Sequence, residues 1–355
     1  MPKPKVLHLG DPIQYNHDLY ARFAANFDVI RPLTAERARP EFKRALQERR
    51  WGSFDAILRP FWNTGGEMGN WDEELIELLP ETVKIIASAG AGYDWVDVEC
   101  LARYGITYCN GAAASSESVA DATLFLILSV FRNLRWSHAA AHSLSPVAFH
   151  DAHTHSPLTA RNPSTQTLGI VGLGAIGLTI ARKARAAFPG MRIVYHDLVR
   201  KAPEVEGSIN ATFSETLDGV LGQADCVVLA TPFAGRTVID GPTLRKFKKG
   251  GRLVNIARGG LVDEEALVQA LEEGRISAVG MDVHAREPAV HPRLATDRRV
   301  MMLSHNAGGT VDTHVGFERL AMENVLGFLL RGKALTPVNA HLIQSEKGEK
   351  VRSLL

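Results

Sequence analysis

The sequence predicts an α/β protein made of two Rossmann-like, doubly wound parallel-sheet domains. Three observations predict it. Short apolar runs alternate with helix-length segments from end to end, the order expected of βαβ units and therefore of parallel sheets. A glycine-rich stretch, Gly172-Leu173-Gly174-Ala175-Ile176-Gly177, sits between one such run and one such segment. The length of 355 residues also suits two domains of ~100–200 residues better than one.

In chain order, the first strand candidates are residues 5–9, 55–58, 83–87 and 106–108. A helical stretch rich in Ala, Leu and Phe follows at about 118–141. It leads into residues 142–163, which show neither a helical nor an alternating period and read as a surface loop between the halves. A more regular series of six strands follows at 168–172, 192–195, 226–230, 252–256, 278–281 and 300–303, enough for a full dinucleotide-binding sheet. After His305, residues 311–331 return to a helical period through Val315, Leu320, Val325, Phe328 and Leu329, a helix that could lead back to the first domain.

Composition excludes several classes. Hydrophobic residues make up 45% and charged residues 22%, an ordinary globular balance. With 40 Lys and Arg against 39 Asp and Glu, no surplus of positive charge is available for a nucleic acid or an anionic membrane. Cys100, Cys109 and Cys226 are too few and scattered for a disulfide framework, which suits a reducing compartment. The first residues carry charge without an apolar run of signal length, and nothing approaches ~18 consecutive apolar residues, so a cytoplasmic location is expected. The final Ser353-Leu354-Leu355 lacks the basic middle residue of a peroxisomal address.

The glycine stretch follows the strand at 168–172 and opens a helix at 176–187, the context that a G-x-G-x-x-G pattern requires. Gly172 permits the tight turn, Gly174 lets backbone amides approach a pyrophosphate, and Gly177 lets helix and strand pack closely. Asp197 stands twenty residues beyond Gly177 (197 − 177 = 20), just past a strand, where a carboxylate can accept hydrogen bonds from a ribose hydroxyl. It would repel a 2′-phosphate, so NAD is expected over NADP. Arg200 and Lys201 are the dissenting residues, read here as solvated charges on a turn.

Ligands of open α/β sheets bind beyond the carboxyl ends of the strands, which singles out Thr231, Ala257, Arg258, Asp282, Ser304 and His305. Arg258 lies in Val254-Asn255-Ile256-Ala257-Arg258-Gly259-Gly260, Glu287 in Asp282-Val283-His284-Ala285-Arg286-Glu287-Pro288, and His305 in Ser304-His305-Asn306-Ala307-Gly308-Gly309. A cation, an acid and an imidazole would thus surround one cleft.

With these motifs in order, the chain resembles the D-isomer-specific 2-hydroxyacid dehydrogenases, and within them the fungal D-mandelate dehydrogenase type. The likeness runs from Pro4 through Ala89-Gly90-Ala91-Gly92-Tyr93-Asp94-Trp95 to Leu335-Thr336-Pro337, and the Arg-to-Glu interval (287 − 258 = 29) resembles the family's. It implies a cofactor domain, residues 117–315, inserted into a substrate domain formed by 1–116 and 316–355. It also implies an NAD-dependent oxidoreductase of the CH–OH group that interconverts 2-hydroxy and 2-keto acids, usually as a homodimer.

Carried over residue by residue, Arg258 would bind the substrate carboxylate, His305 would be the acid/base and Glu287 would support it. Ala91 and Gly92 would hold the other side of the carboxylate. Thr231, Pro232, Thr237, Ile256, Ala257, Arg258, Asp282, His305 and Gly308 would flank the cofactor together with Gly172, Gly174, Ala175, Ile176, Gly177 and Asp197. Phe61, Trp62 and Trp136 are candidates for the substrate side chain, with core or dimer packing an equal alternative. The chain is one residue short after Thr237 and lacks a common proline after Asn110. His150, His153 and His155 lack a matching ligand set, and no metal is expected.

Two further readings stay open. One is a glyoxylate/hydroxypyruvate reductase. The other is a dinucleotide-sensing corepressor of the C-terminal-binding type, which resembles the family and keeps the same three residues. Glu287 argues against a formate dehydrogenase, which pairs Gln with His.

Overall fold

The computed structural model describes residues 2–61 and 64–344. Its first sheet comprises β1 (Lys5–His8), β2 (Asp28–Ile30), β3 (Ala56–Arg59), β4 (Ile85–Ser88) and β5 (Thr107–Cys109) in the order β2-β1-β3-β4-β5. The second comprises β6 (Thr167–Val171), β7 (Arg192–His196), β8 (Ala211–Phe213), β9 (Cys226–Leu229), β10 (Gly251–Asn255), β11 (Ile276–Met281) and β12 (Val300–Met302), ordered β12-β11-β10-β9-β6-β7-β8. All pairings within both are parallel. β3, β4, β6, β9 and β10 are buried at every position, which is why their central residues read as apolar runs.

One compact unit is Met1–Ser115 with Thr310–Leu355, and the other is Ser116–Gly309. The first draws the late helix Val311–Arg331 into its own core, where Ala321, Met322, Val325 and Leu326 join Val6, Ala56, Leu58, Ile85 and Ala87. Glu318 on that helix is fully buried. Its carboxylate accepts the backbone N–H groups of Gln14 (2.6 Å), Tyr15 (3.0 Å) and Asn16 (2.9 Å), closing the loop after β1 onto the helix.

Several expectations need correction. The second sheet has seven strands rather than six, and the first gains β2; the extra strands are three residues long and carry too little apolar pattern to register. Within residues 142–163, a helix forms at Pro146–His155 in place of the expected loop. Ser145 caps it by accepting the Ala148 N–H at 3.2 Å, and Pro146 suits its first turn. Among its residues only Ala152 is buried, so local capping chemistry built a helix that has almost no apolar face to read. The helix expected at 118–141 begins at Ala112 and breaks at Asn133, whose left-handed backbone (φ 53°) starts a second helix at Leu134–His142.

One helix among the described residues, Ala112–Arg132, is long and apolar enough to cross a membrane by length and composition. Its Leu126, Ile127, Val130 and Phe131 are buried in the core of the second unit beside Leu168, Ile170, Val228 and Val254, which accounts for its apolar character.

Candidate active site

The order of the second sheet reverses at β6, with β7 on one side and β9 on the other, and the glycine turn lies at that reversal. Gly172 has φ +92°, and a Cβ there would lie 2.8 Å from the Ala230 carbonyl oxygen at the end of β9. Gly177 packs so closely that a Cβ would fall 2.1 Å from the Gly172 carbonyl oxygen. Gly174, in contrast, faces open space, and it begins the helix Ala175–Ala187 without a side-chain cap. An uncapped helix N-terminus behind a turn with no side chain in the way fits a pyrophosphate, because its backbone N–H groups and dipole favour negative charge.

Asp197 follows β7 and is tied into the turn. One of its carboxylate oxygens accepts the Leu173 N–H at 2.9 Å, and the other accepts the Leu198 N–H at 2.8 Å. Burial raises its carboxyl, but the hydrogen bonds of Lys201 and Leu173 outweigh this and hold it below the ordinary aspartate value. The structure corrects the reading of Arg200 and Lys201 as merely solvated charges. Lys201 Nζ lies 3.1 Å from Asp197, and Arg200 Nε and Nη2 both donate to Glu206 at 2.9 Å. Arg200 and the Tyr195 hydroxyl hold the Glu206 carboxyl down at about 2.

The three catalytic candidates come from the ends of β10, β11 and β12, and backbone packing draws those ends together. Asn255, fully buried, donates to the Arg258 carbonyl at 2.8 Å while its own side-chain oxygen accepts the Ala257 N–H at 3.1 Å, fixing the turn that presents Arg258. Gly259 then lies so close to the next loop that a Cβ would fall 1.9 Å from the His284 carbonyl carbon. His284 donates its backbone N–H to one Glu287 oxygen at 2.8 Å, and its Nε2 donates to the Leu303 carbonyl at 2.8 Å. The other Glu287 oxygen lies 2.7 Å from His305 Nδ1. Burial pushes the Glu287 carboxyl up, and the bonds to His305 and His284 more than reverse this, so it is ionised at neutral pH.

His305 itself has a left-handed backbone, φ 55°. Asp282 braces it: the Asp282 carbonyl accepts the His305 N–H at 2.8 Å, and the carboxylate accepts those of Asn306 (3.0 Å) and Ala307 (3.1 Å). Asp282 was expected beside the cofactor; its role in shaping this turn escaped sequence reasoning, as did the bracing by Asn255. A buried polar residue at a strand end next to a candidate was the available signal in both cases. A cavity of about 650 Å³ within the second unit is lined by Arg135, Pro288, Val290 and Met302 together with Glu287 and His305, so the pair is open to small molecules.

Of the remaining candidates, Thr231 and Gly308 are half-buried, Pro232 is exposed, and Ile256 is buried. Thr237 donates its hydroxyl to the Gly260 carbonyl at 3.2 Å. Trp136 lies under the Arg298 guanidinium, 3.6 Å from the ring centroid. In the first unit Phe61 is buried, Trp62 lies outside the described residues, and Ala91 is fixed by the Asn110 side chain, which donates to its carbonyl at 2.8 Å.

Residues 124–307 match the D-isomer specific 2-hydroxyacid dehydrogenase NAD binding domain. The chain is similar to the solved D-mandelate dehydrogenase of Rhodotorula graminis, at 38% identity and a TM-score of 0.89 over 95% of this chain and 98% of that one. It is 34% identical over 304 residues to 4-methyl-2-oxopentanoate reductase A of Aspergillus oryzae, covering 84% of this chain and 88% of that relative. It is also similar to an NADPH-dependent glyoxylate/hydroxypyruvate reductase of Sinorhizobium meliloti, at 28% identity and a TM-score of 0.71 over 95% of this chain and 98% of that one. A glycine cradle for a dinucleotide, an Arg, Glu and His on adjoining strand ends, and relatives matched over most of their length lead to one assignment: the chain belongs to the D-isomer-specific 2-hydroxyacid dehydrogenases, oxidoreductases acting on a CH–OH group.

Proposed function

We propose that the protein is an NAD-dependent D-2-hydroxyacid dehydrogenase whose preferred 2-keto acids carry bulky apolar or aromatic side chains. The observation that carries the chemistry is the 2.7 Å contact between Glu287 and His305 Nδ1. An ionised carboxylate there fixes the ring with Nδ1–H toward Glu287 and leaves Nε2 to handle a proton. A nicotinamide dinucleotide held at the Gly172–Gly177 turn would supply or accept the hydride. During reduction, His305 Nε2 gives its proton to the forming alkoxide, and Glu287 stabilises the imidazolium beforehand. In oxidation His305 takes the hydroxyl proton. Arg258 holds the carboxylate through its planar fork, and in the first unit the turn at Ala91 and Gly92 offers backbone amides to an anion.

Asp197 supports NAD over NADP, since an ionised carboxylate beside the ribose disfavours a 2′-phosphate. The preference for bulky substrates is supported by likeness to a mandelate dehydrogenase and to a reductase of 4-methyl-2-oxopentanoate. The second reading, a glyoxylate/hydroxypyruvate reductase, is supported by the Sinorhizobium meliloti relative. We further place the protein in the cytoplasm as a homodimer. Exposed Phe125, Leu144, Val147 and Phe149 in the second unit support self-association.

The deciding experiment measures kcat/KM for benzoylformate, 4-methyl-2-oxopentanoate, hydroxypyruvate and glyoxylate with NADH. The two bulky acids should lead by tenfold or more, the discrimination of about 1–3 kcal/mol that one or two well-buried methylenes supply. A tenfold lead for glyoxylate or hydroxypyruvate establishes the second reading instead, and nucleotide binding without turnover on any of the four points to the sensor.

A further inference from the structure

The loop that follows β7 holds two cations in different ways. Arg200 is committed: its fork closes on Glu206 through two 2.9 Å hydrogen bonds, and its guanidinium lies 5.7 Å from the Phe213 ring centroid. Glu206 also receives the Tyr195 hydroxyl at 2.6 Å, and that hydroxyl accepts the Lys201 backbone N–H at 2.9 Å. The base of Lys201 is therefore anchored. Its ammonium reaches back to the Asp197 oxygen that also accepts the Leu173 N–H, and its side chain keeps 30% of its exposure.

We propose that Lys201 sets how strictly the adenosine ribose subsite excludes a 2′-phosphate, making Asp197 a partly neutralised barrier rather than a full one. This rests on the NAD-binding reading of Asp197 given above. A 2′-phosphate carries a charge of about −1.5 to −2 at pH 7 and meets repulsion from a bare carboxylate. With its ammonium at 3.1 Å from that carboxylate, Lys201 cancels much of the repulsion. Its four-carbon stem also lets the ammonium turn toward the phosphate once one is present. Arg200 cannot take over this task without abandoning Glu206. The unmodified protein consequently accepts NADPH at a measurable rate while preferring NADH, and Lys201 is the residue that permits it.

The test compares the ratio of kcat/KM with NADH to that with NADPH in the unmodified protein, Lys201→Met, Asp197→Asn and the double variant. Removing the ammonium should raise the ratio by about tenfold and removing the carboxylate should lower it, with the two effects non-additive because the groups touch. Binding of 2′,5′-ADP and 5′-AMP, measured by calorimetry, isolates the subsite from catalysis. Lys201→Met should weaken 2′,5′-ADP by about tenfold more than 5′-AMP at low salt, and the gap should shrink at 0.5 M salt, which a merely structural change would not produce. Equal losses for the two nucleotides, or an unchanged ratio in Lys201→Met, overturn the proposal. A wild type faster with NADPH would instead overturn the NAD preference, and the Lys201→Met ratio would still report on the lysine.

Discussion

The two units share an architecture but treat the carboxyl ends of their strands differently. In the first sheet those ends carry His8, Arg59, Ser88 and Cys109, all buried. Arg59 donates to the Gly65 carbonyl and to the Ser88 hydroxyl, both at 2.9 Å, and its guanidinium lies 4.7 Å from the Trp95 ring centroid. Its polar groups hold loops in place. In the second sheet the loops just beyond those ends present Asp197, Arg258, Glu287 and His305, half-open and supported from behind by Asn255 and Asp282. Each parallel sheet thus has polar residues at or just beyond its carboxyl edge. What separates these two rows is whether buried neighbours take up the polar groups or aim them outward.

The largest effect that would test this contrast is on turnover. His305→Ala should lower kcat by about 10²–10⁴-fold, the usual contribution of a positioned acid/base, while the Kd for NADH moves by no more than a few-fold. Steady-state rates and nucleotide fluorescence measure both. A variant that keeps a tenth of the activity would make the second row as structural as the first.

Next in size is a stability effect confined to the first unit. Glu318→Ala would strip three partly buried backbone N–H groups of their acceptor and should cost about 3 kcal/mol in urea unfolding. A loss under 1 kcal/mol would mean that water replaces the carboxylate there.

The smallest effect concerns His8, whose imidazole is held down to about 4 by burial and by the charge of Arg31. An unfolded histidine titrates near 6.5, so between pH 6.5 and 4 the unfolded chain binds the extra proton and stability falls as pH falls. His8→Leu should remove roughly 2 kcal/mol of that decline. The check is urea unfolding of both proteins at pH 7, 5.5 and 4.5, and parallel pH curves would show that His8 does not titrate across this range.

Much of this was legible in the sequence because burial on both faces writes strands as apolar runs and because a dinucleotide turn demands glycines at fixed places. The helix Val311–Arg331 was read to the residue from its period, and the structure adds the Thr310 cap. The edge strands β2 and β8 were not, being three residues long and only partly buried. Pro146–His155 has no apolar stripe, and the break at Asn133 needed a left-handed residue that many loops share. At the site, the candidate residues were visible while those that brace them were hidden. Arg258 and His305 stand in recognisable motifs, whereas Asn255, Asp282 and the Lys201 pairing depend on partners fixed only by folding.

The left-handed backbone of His305 sets an evolutionary tension at one position. Conformation there favours glycine or asparagine, which enter that region at little or no cost, whereas an imidazole residue is charged on the order of 1 kcal/mol for it. The acid/base role proposed for His305 allows neither replacement. Selection for stability alone would therefore push position 305 away from histidine, and under the proposed mechanism selection for turnover holds it. A library screened for thermal resistance without an activity filter should lose this residue early, gaining melting temperature as it loses the enzyme.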